Sequence, residues 1–365
     1  FAICKDAKKI NLGIGAYKDE KGNPWVLPCV QKAKEMLNKK KLYHEYTRIE
    51  GDLNFCQKAI ELALSKKSPR LQENCNATFQ SVSGSGALGV GAGFLSKFWK
   101  GKCQIYFSNP TWTNHQVIFK YAGFKIGRYQ YYDEATKGLN FKCMCDDICQ
   151  MPKNSIILLH ACAHNPTGVD LTCDQWLEIS KIIKKRKILP FFDVAYQGFA
   201  TGDLDVDAQA LRIFDQDCHT MCIAQSFSKN MGLYGERVGA FTLLCHSKKE
   251  AARCLSQMKG IIRAMYSNPP INGARIVSTI LHDKELIKQW LEDVKTMSSR
   301  LKNVRGKLSD NLKKEGSSHN WDHLTKQIGM FAFSGLSADM VKSLEKKYYI
   351  YMTLDGRMSV SGINS

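Results

Sequence analysis

Lys229 is the residue whose surroundings point most directly to covalent chemistry. It follows the apolar run 221–225, which predicts a buried strand, and Ser226 and Ser228 stand just before it. A lysine that forms a Schiff base must lose its proton, and burial or nearby positive charge lowers its pKa. The two hydroxyl groups, together with Arg237 eight residues later, are suitable partners for a phosphate group. A reactive lysine beside a phosphate site predicts pyridoxal 5'-phosphate as the cofactor, rather than an ordinary solvated lysine.

Asp193 ends a second predicted strand, over residues 189–194, one strand before Lys229. In open α/β sheets, ligands bind beyond the carboxyl ends of the strands. A carboxylate at that position can keep a pyridine nitrogen protonated, so that the ring accepts electrons. An aspartate in such a turn can instead be a helix N-cap. Its position one strand before Lys229 favours the cofactor role.

The glycine-rich segment 84–89 follows a predicted strand, begins a helix and matches the G-x-G-x-x-G pattern of dinucleotide sites. That pattern also needs an acidic residue about 20 positions later, which binds a ribose hydroxyl. No Asp or Glu occurs between Ala87 and Tyr132, so the nicotinamide interpretation fails. A phosphate at the helix N-terminus explains the same glycines. Ser83, Gly84 and Ser85 are therefore its expected donors.

Composition narrows the functional classes. A chain of 365 residues favours two domains, and its apolar runs are too short to predict a transmembrane helix. No n-region and h-region open the sequence, so a secretory signal is not expected among these residues. Fourteen cysteines in a chain of this length predict free thiols in a reducing compartment. The net charge of +18 is spread over scattered lysines, which disfavours nucleic acid and suits acidic substrates.

A metal site is not expected. Cys143, Cys145 and Cys149 lie close together in the sequence, but no histidine is near them and their spacing matches no zinc pattern. His160 and His164 are four residues apart, but they lie in a strand-to-loop segment rather than on a helix.

The predicted elements form an α/β fold. Apolar runs predict seven strands, near 78–82, 103–107, 125–130, 156–160, 189–194, 220–225 and 238–244. Helical stretches separate most of them, which favours a mainly parallel sheet covered by helices. One stretch spans 172–187 and begins with a capping box of Thr172 and Gln175. The connection between the last two strands is too short for a crossover helix, so that pair is expected to be antiparallel.

The C-terminal third follows a different pattern. A long polar stretch over 283–315 with apolar residues at helical spacing predicts one helix that bridges two domains, ended by Gly316. The segments 328–333, 349–352 and 358–360 predict a small second sheet.

Motifs along nearly the whole chain carry a resemblance to a known family. They are 11–17, 160–168, 193–199, 226–237, 265–270 and 355–362. In this order they resemble the aspartate aminotransferase family of fold-type I pyridoxal phosphate enzymes, closest to the animal mitochondrial form. The resemblance implies a large cofactor-binding domain over 25–296, a small α+β domain over 1–24 and 297–365, and a homodimer with shared active sites.

The resemblance also implies roles for individual residues around the cofactor. Lys229 is the covalent attachment point and proton carrier, Asp193 pairs with the pyridine nitrogen, and His115 lies behind Asp193. The other expected ring contacts are Trp112 stacked on one face, Ala195 on the opposite face, and Asn165 and Tyr196 at the phenolate oxygen. The expected phosphate ligands are Ser83, Gly84, Ser85, Ser226, Arg237 and, from a second subunit, Tyr46. The bonds before Pro110 and Pro166 are expected to be cis.

Two arginines are expected to select a dicarboxylate substrate. By resemblance, Arg357 binds the α-carboxylate, and Arg263 binds the distal carboxylate from the other subunit. Gly15 and Ile14 line the entrance, and Trp112 and Asn165 also face the substrate. The family has Leu-Pro where Thr47 and Arg48 stand here, so fine specificity is not carried over at that point.

The implied reaction is reversible transfer of the amino group of L-aspartate to 2-oxoglutarate, giving oxaloacetate and L-glutamate. The cofactor alternates between its pyridoxal and pyridoxamine forms in a ping-pong mechanism. One alternative is an aminotransferase of broader specificity, for aromatic or kynurenine-type substrates. Another is a catalytically silent binding protein on the same fold, which the intact catalytic positions disfavour. The mitochondrial matrix is favoured over the cytoplasm.

Overall fold

The computed structural model describes residues 9–99 and 104–364. Its strands are β1 (Ile10–Asn11), β2 (Asn76–Val82), β3 (Gln104–Asn109), β4 (Lys125–Gln130), β5 (Tyr132–Asp133), β6 (Gly138–Leu139), β7 (Ile156–His160), β8 (Leu189–Val194), β9 (Met221–Ser226), β10 (Val238–Leu244), β11 (Phe331–Phe333), β12 (Ile350–Tyr351) and β13 (Arg357–Ser359).

The α-helices are α1 (Pro28–Lys39), α2 (Leu53–Leu64), α3 (Pro69–Gln72), α4 (Ser83–Phe98), α5 (Thr113–Tyr121), α6 (Phe141–Gln150), α7 (Cys173–Arg186), α8 (Leu204–Asp207), α9 (Gln209–Gln216), α10 (Lys248–Tyr266), α11 (Ile271–His282), α12 (Lys284–Lys314), α13 (His323–Lys326) and α14 (Ala338–Tyr348). A 3-10 turn spans Val360–Gly362. Among the described residues, no helix combines the length and apolar character needed to span a membrane.

A seven-stranded sheet forms the centre of the fold, with strand order β2-β10-β9-β8-β7-β3-β4. Strand β10 runs antiparallel to both of its neighbours, and the other pairs are parallel. The predicted α/β class, the seven strands and the antiparallel pair are therefore confirmed. Asp193 on β8 is directly opposite Ala224 on β9. Because parallel strands end at the same edge of a sheet, Asp193 and the loop after β9 lie close together.

Both faces of this sheet are buried, as expected of mainly parallel strands. Successive residues alternate between two hydrophobic clusters: Ile157, Phe192 and Ile223 pack towards α6, α7 and α9. Phe191 and Phe241 pack on the other face towards α4, α5 and α10. The predicted capping box of Thr172 and Gln175 is present at the start of α7. Packing on two faces thus fixes the strand ends that carry the polar residues.

The three predicted C-terminal strands do not form one sheet, which corrects that prediction. Strand β11 pairs antiparallel with β13, whereas β12 pairs in parallel with the N-terminal strand β1. A two-residue strand such as β1 is too short to show a hydrophobic period, so this pairing could not be predicted from the sequence.

Helix α12 connects the two parts of the chain. Near its start Asp293 accepts a hydrogen bond from the backbone N–H of Cys29 (3.0 Å). Farther along, Arg305 donates to the carbonyl oxygen of Leu324 (3.1 Å). The predicted long helix is confirmed, and it ends just before Gly316, whose φ of +73° suits a residue without a side chain. The division between 296 and 297 stays a prediction.

Candidate active site

A cleft of about 340 Å³ lies at the carboxyl ends of β8 and β9, next to the first turn of α4. It brings together most of the residues that the sequence singled out. Those lining it are Gly15, Ser83, Gly84, Ser85, Trp112, Asn165, Asp193, Ala195, Tyr196, Ser226, Lys229, Arg237 and Arg357. They come from distant parts of the chain, so the fold rather than sequence proximity assembles the site.

Lys229 is a half-buried side chain in this cleft. Its ammonium nitrogen lies 5.5 Å from the centre of the Tyr196 ring. Burial and the positive charge of Arg237 lower the pKa of Lys229, although Asp193 acts in the opposite direction. A lowered pKa increases the fraction of neutral amine, which is the form that reacts as a nucleophile or takes up a proton.

Asp193 is held by a chain of partly buried hydrogen bonds. Its Oδ2 accepts from Nε2 of His115 (3.1 Å), since an ionised carboxylate can only accept. On the other side of the ring, Nδ1 of His115 is 2.9 Å from Oγ1 of Thr111. Burial acts to raise the pKa of Asp193, but the hydrogen bond and the neighbouring positive groups outweigh it, and the net pKa is lowered. The carboxylate is thus ionised and fixed in direction.

His160 extends this chain. Its Nε2 lies 3.3 Å from Oγ1 of Thr111, and its Nδ1 is 3.3 Å from the backbone nitrogen of Asn165. Burial lowers the pKa of His160 to about 3, with the neighbouring His115 acting in the same direction. His160 is therefore neutral at physiological pH, and it links the Asp193 side of the cleft to Asn165.

The first turn of α4 forms a narrow polar cradle. Ser83 Oγ is 2.9 Å from Ser228 Oγ and 3.2 Å from Ser226 Oγ. No side chain caps this helix N-terminus, and its first turn carries no acidic residue. A Cβ added to Gly84 would lie 3.2 Å from the Cβ of Ser226, tighter than most such contacts. A narrow space beside backbone N–H groups that no side chain caps is typical of an anion-binding site.

Arg357 is placed across the cleft by β13. Its Nη1 donates to Asn165 Oδ1 (3.4 Å) and its Nη2 to the carbonyl oxygen of Gly13 (3.2 Å). The guanidinium lies 4.2 Å from the centre of the Phe331 ring. Its buried Nε has no hydrogen-bond partner. This orients the planar group while leaving a donor for a further acceptor.

Four predicted residues do not line the cleft. His115 is fully buried behind Asp193, as expected, and makes an edge-on contact with Trp112 at 5.2 Å. Ile14 and Tyr46 are 48% and 89% exposed. Arg263 is exposed and donates to Ser267 on its own helix end. Within one chain, Tyr46 and Arg263 therefore contribute nothing to the cleft.

The cleft also contains residues that the sequence did not assign to the site. Ser228, Tyr234, Leu88 and Phe331 complete its wall. The hydroxyl oxygen of Tyr234 accepts from the backbone N–H of Tyr17 (2.8 Å), and burial raises its pKa to about 12. Tyr234 and Ser228 lie in the same loop as Lys229, and this closeness in the sequence could have identified them as site residues. Nothing in the sequence identifies Phe331, because only the folded chain brings β11 to the cleft.

The bonds before Pro110 and Pro166 are both cis, as predicted. Among the described residues, no group of three or more His, Cys, Asp or Glu side chains is arranged to hold a metal ion.

Comparison with known proteins gives a consistent assignment. The family described as aminotransferase class I and II matches residues 7–365. The chain is 51% identical to a mitochondrial aspartate aminotransferase of Gallus gallus, over all of this chain and 86% of that protein.

Solved structures agree with this. A mitochondrial aspartate aminotransferase from Trypanosoma brucei superposes with a TM-score of 0.94 at 43% identity, covering 100% of this chain and 94% of that one. An aromatic-amino-acid aminotransferase from Burkholderia pseudomallei, described as covalently bound to pyridoxal phosphate, has a TM-score of 0.96 at 38% identity over 99% of this chain and 90% of that one. The chain belongs to the aminotransferase class I and II family.

Proposed function

We propose that this protein transfers the amino group of L-aspartate to 2-oxoglutarate, giving oxaloacetate and L-glutamate, with pyridoxal 5'-phosphate as cofactor. The observation that carries this proposal is the meeting of Lys229, Asp193 and Arg357 in one cleft. The relatives that bear the name aspartate aminotransferase support it over the full length of the chain.

The residues present fit the cofactor. The uncapped first turn of α4, the serine hydroxyls and Arg237 are a donor set for a phosphate dianion. Asp193 lines the cleft as an ionised carboxylate, which can accept from a protonated pyridine nitrogen. The unpartnered Nε of Arg357 suits the carboxylate of an amino acid substrate.

When bound, the cofactor supplies an aldehyde that takes up the amino group and a ring that accepts the electrons released at the substrate Cα. Lys229 would move the proton: its Nζ would take it from the substrate Cα and deliver it to the carbon of the cofactor's aldehyde group. Asp193 keeps its charge because His115 donates to it, so it can hold a proton on the ring nitrogen. Tyr196 and Asn165 place a hydroxyl and an amide group at the same wall.

We further propose that the active unit is a homodimer. Tyr46 and Arg263 are exposed and lie outside this chain's own cleft, so they are available to a second copy. In that arrangement Tyr46 reaches the partner's phosphate and Arg263 binds the distal carboxylate of the partner's substrate. This assigns amino-group chemistry to one chain and dicarboxylate selection to the other.

A broader specificity is the second candidate. The aromatic-amino-acid aminotransferase from Burkholderia pseudomallei shares the same fold at 38% identity. The segment that follows Tyr46 also departs from the aspartate aminotransferase pattern, because Thr47 and Arg48 stand where the family has Leu-Pro. A comparison of kcat/KM for aspartate and phenylalanine, each with 2-oxoglutarate, separates the two. A clear preference for aspartate supports the proposal, and equal or higher values for phenylalanine support the alternative.

We propose the mitochondrial matrix as the compartment, since relatives with this location in their names match the whole chain. Fractionation of cells that express the full-length protein tests this, with recovery in the cytosolic fraction as the contrary result.

A further inference from the structure

The two loops that carry Lys229 and Tyr196 are joined by a buried hydrogen bond outside the cleft. Asn230 and Gln197 each follow one of these cleft residues in the sequence, and each is 2% exposed. Nδ2 of Asn230 donates to the carbonyl oxygen of Gln197 (3.1 Å). Neither residue lines the cleft. The bond therefore connects the segment after β9 to the segment after β8, one residue away from the functional side chain of each.

The Gln197 end of this bond is itself fixed. Nε2 of Gln197 donates to the carbonyl oxygens of Leu62 (2.8 Å) and Leu204 (3.2 Å). Leu62 belongs to the last turn of α2, and Leu204 is the first residue of α8. Since these two helices anchor Gln197, the carbonyl group that Asn230 contacts is held in place.

Helix α12 holds Asn230 by a second bond. Nε1 of the fully buried Trp290 donates to the backbone carbonyl oxygen of Asn230 (2.8 Å). Phe227 and Met231, on either side of the lysine in the sequence, pack in the same hydrophobic cluster as Trp290. The loop is thus fastened at Asn230 through both its main chain and its side chain, while Lys229 itself is half-buried in the cleft.

We propose that Asn230 is a positioning residue, and that its bond to Gln197 fixes the place of the Lys229 amino group in the cleft. This inference rests on the function proposed above, in which Lys229 moves a proton. A lysine side chain is a flexible four-carbon stem, so the place of its nitrogen depends on where its main chain is held. Nζ of Lys229 lies 5.5 Å from the centre of the Tyr196 ring, and the Asn230 bond joins the loops that carry these two residues. A misplacement of about 1 Å in a reacting group can cost about 100-fold in rate.

A comparison of kcat with KM tests this role. Asn230→Ala removes the side-chain bond and keeps the backbone carbonyl group that Trp290 uses. We expect kcat with aspartate and 2-oxoglutarate to fall about 10-fold while KM for aspartate stays within about two-fold, because Asn230 does not line the cleft where substrate binds. An unchanged kcat would overturn the proposal.

Gln225→Ala is the matched control. Gln225 is also a buried amide, 3% exposed, and its Nε2 donates to the carbonyl oxygen of Ala59 (2.9 Å). This bond joins β9 to α2 and does not connect the two cleft loops. We expect Gln225→Ala to lose stability in urea to a similar extent as Asn230→Ala and to keep its kcat. An equal fall of kcat in both variants would mean that Asn230 acts only through stability.

The pH at which Lys229 loses its proton gives a readout that needs no turnover. Full-length protein freed of cofactor is acetylated with a trace of acetic anhydride at a series of pH values, and label on Lys229 is measured against the exposed Lys249. Burial lowers the pKa of Lys229 in the native protein. In Asn230→Ala we expect the midpoint of labelling at least about 0.5 pH unit higher, which is an about three-fold smaller neutral fraction, because a loosened loop exposes the amine to water. Gln225→Ala should keep the native midpoint, and a native midpoint in Asn230→Ala would contradict the proposal.

The labelling also separates failure of this inference from failure of the proposed function. A native protein that does not turn over aspartate would remove the proposed function, and the midpoints would still report whether Asn230 places Lys229. If Asn230→Ala does not fold, Asn230→Ser takes its place, because its hydroxyl keeps the position polar but is one atom shorter than the amide. We expect the same upward shift of the midpoint in this variant, and a native midpoint there would equally overturn the proposal.

Discussion

One chain builds the inner wall of the cleft, whereas the outer rim that we propose needs residues of a second chain. On the inner wall, Asp193, His115, Thr111 and His160 form a continuous chain of hydrogen bonds with little exposure to water. Tyr46 and Arg263, which we propose form the rim of the partner's cleft, are exposed and do not line the cleft of their own chain. Under the function that we propose, this difference means that proton chemistry is organised within each chain, whereas substrate selection depends on a contact between chains.

The inner wall gives the largest expected effect. Lys229→Ala removes the proton carrier, and we expect turnover to fall by at least about 10²–10⁴-fold, the contribution of a positioned acid–base group. Steady-state formation of oxaloacetate measures it. The exposed Lys249, changed to Ala, is the matched control and should retain full activity. Full activity of Lys229→Ala would show that the inner wall does not carry the chemistry.

Asp193→Ala tests the carboxylate on the same wall. It leaves His115 buried without its acceptor and removes the charge that faces the cleft. We expect kcat to fall about 100-fold, equivalent to about 3 kcal/mol in the activation free energy, because the carboxylate that would hold the ring nitrogen protonated is lost. Asp193→Glu keeps the charge and should retain more activity than Asp193→Ala. Equal activity in the two variants would mean that charge at this point is unimportant.

Arg263→Asp tests the rim. We expect kcat/KM for aspartate to fall about 10- to 100-fold, since a hydrogen bond to a charged group contributes about 1.5–3 kcal/mol. The value for phenylalanine should change little. An unchanged preference for aspartate would remove Arg263 as the selector.

Mixing two variants that are each impaired with aspartate sharpens the comparison between wall and rim. A dimer of one Arg263→Asp chain and one Lys229→Ala chain contains one site with both residues intact. We expect activity to return when the two variants are unfolded and refolded together. Activity that stays at the level of the separate variants would place each site within a single chain.

His160 makes the stability of the inner wall depend on pH. Its pKa of about 3 in the folded state lies below the ordinary value of 6.5, so the unfolded chain binds more protons between these values. Its contribution is complete above about pH 6.5 and is lost as the pH falls towards 3. As the pH falls from 6.5, we expect the free energy of unfolding to decrease more steeply for the native protein than for His160→Asn. The two slopes should differ by up to about 1.4 kcal/mol per pH unit. Urea unfolding between pH 7 and 5 measures both slopes, and identical slopes would contradict the assignment.

The smallest expected effect is at Tyr46. Tyr46→Phe removes one hydroxyl from the rim, and we expect cofactor to dissociate about five-fold more readily, equivalent to about 1 kcal/mol for one hydrogen bond. Equilibrium dialysis measures the dissociation constant. No change would separate Tyr46 from the phosphate of the partner's site.

The residues of the inner wall could be predicted from the sequence more fully than the residues and contacts around them. Asp193 lies near the end of β8, and Lys229 follows β9 by three residues. Both strands are buried and mostly apolar, so the sequence predicts them, and parallel strands place their ends at one edge of a sheet. Phe331 and the pairing of β12 with β1 were not readable, because two- and three-residue strands carry no period and find their partners only by tertiary packing. Tyr46 and Arg263 came from the resemblance alone, and neither lines the cleft of its own chain.

The covalent attachment of the cofactor at Lys229 tests the central claim most directly. Purified protein is saturated with pyridoxal 5'-phosphate, reduced with borohydride, digested and analysed by mass spectrometry, with and without prior addition of aspartate. The account predicts that the reduced cofactor is found on Lys229 and that aspartate removes it from this residue before reduction. A cofactor found on other lysines only, or one on Lys229 that aspartate does not displace, would contradict it.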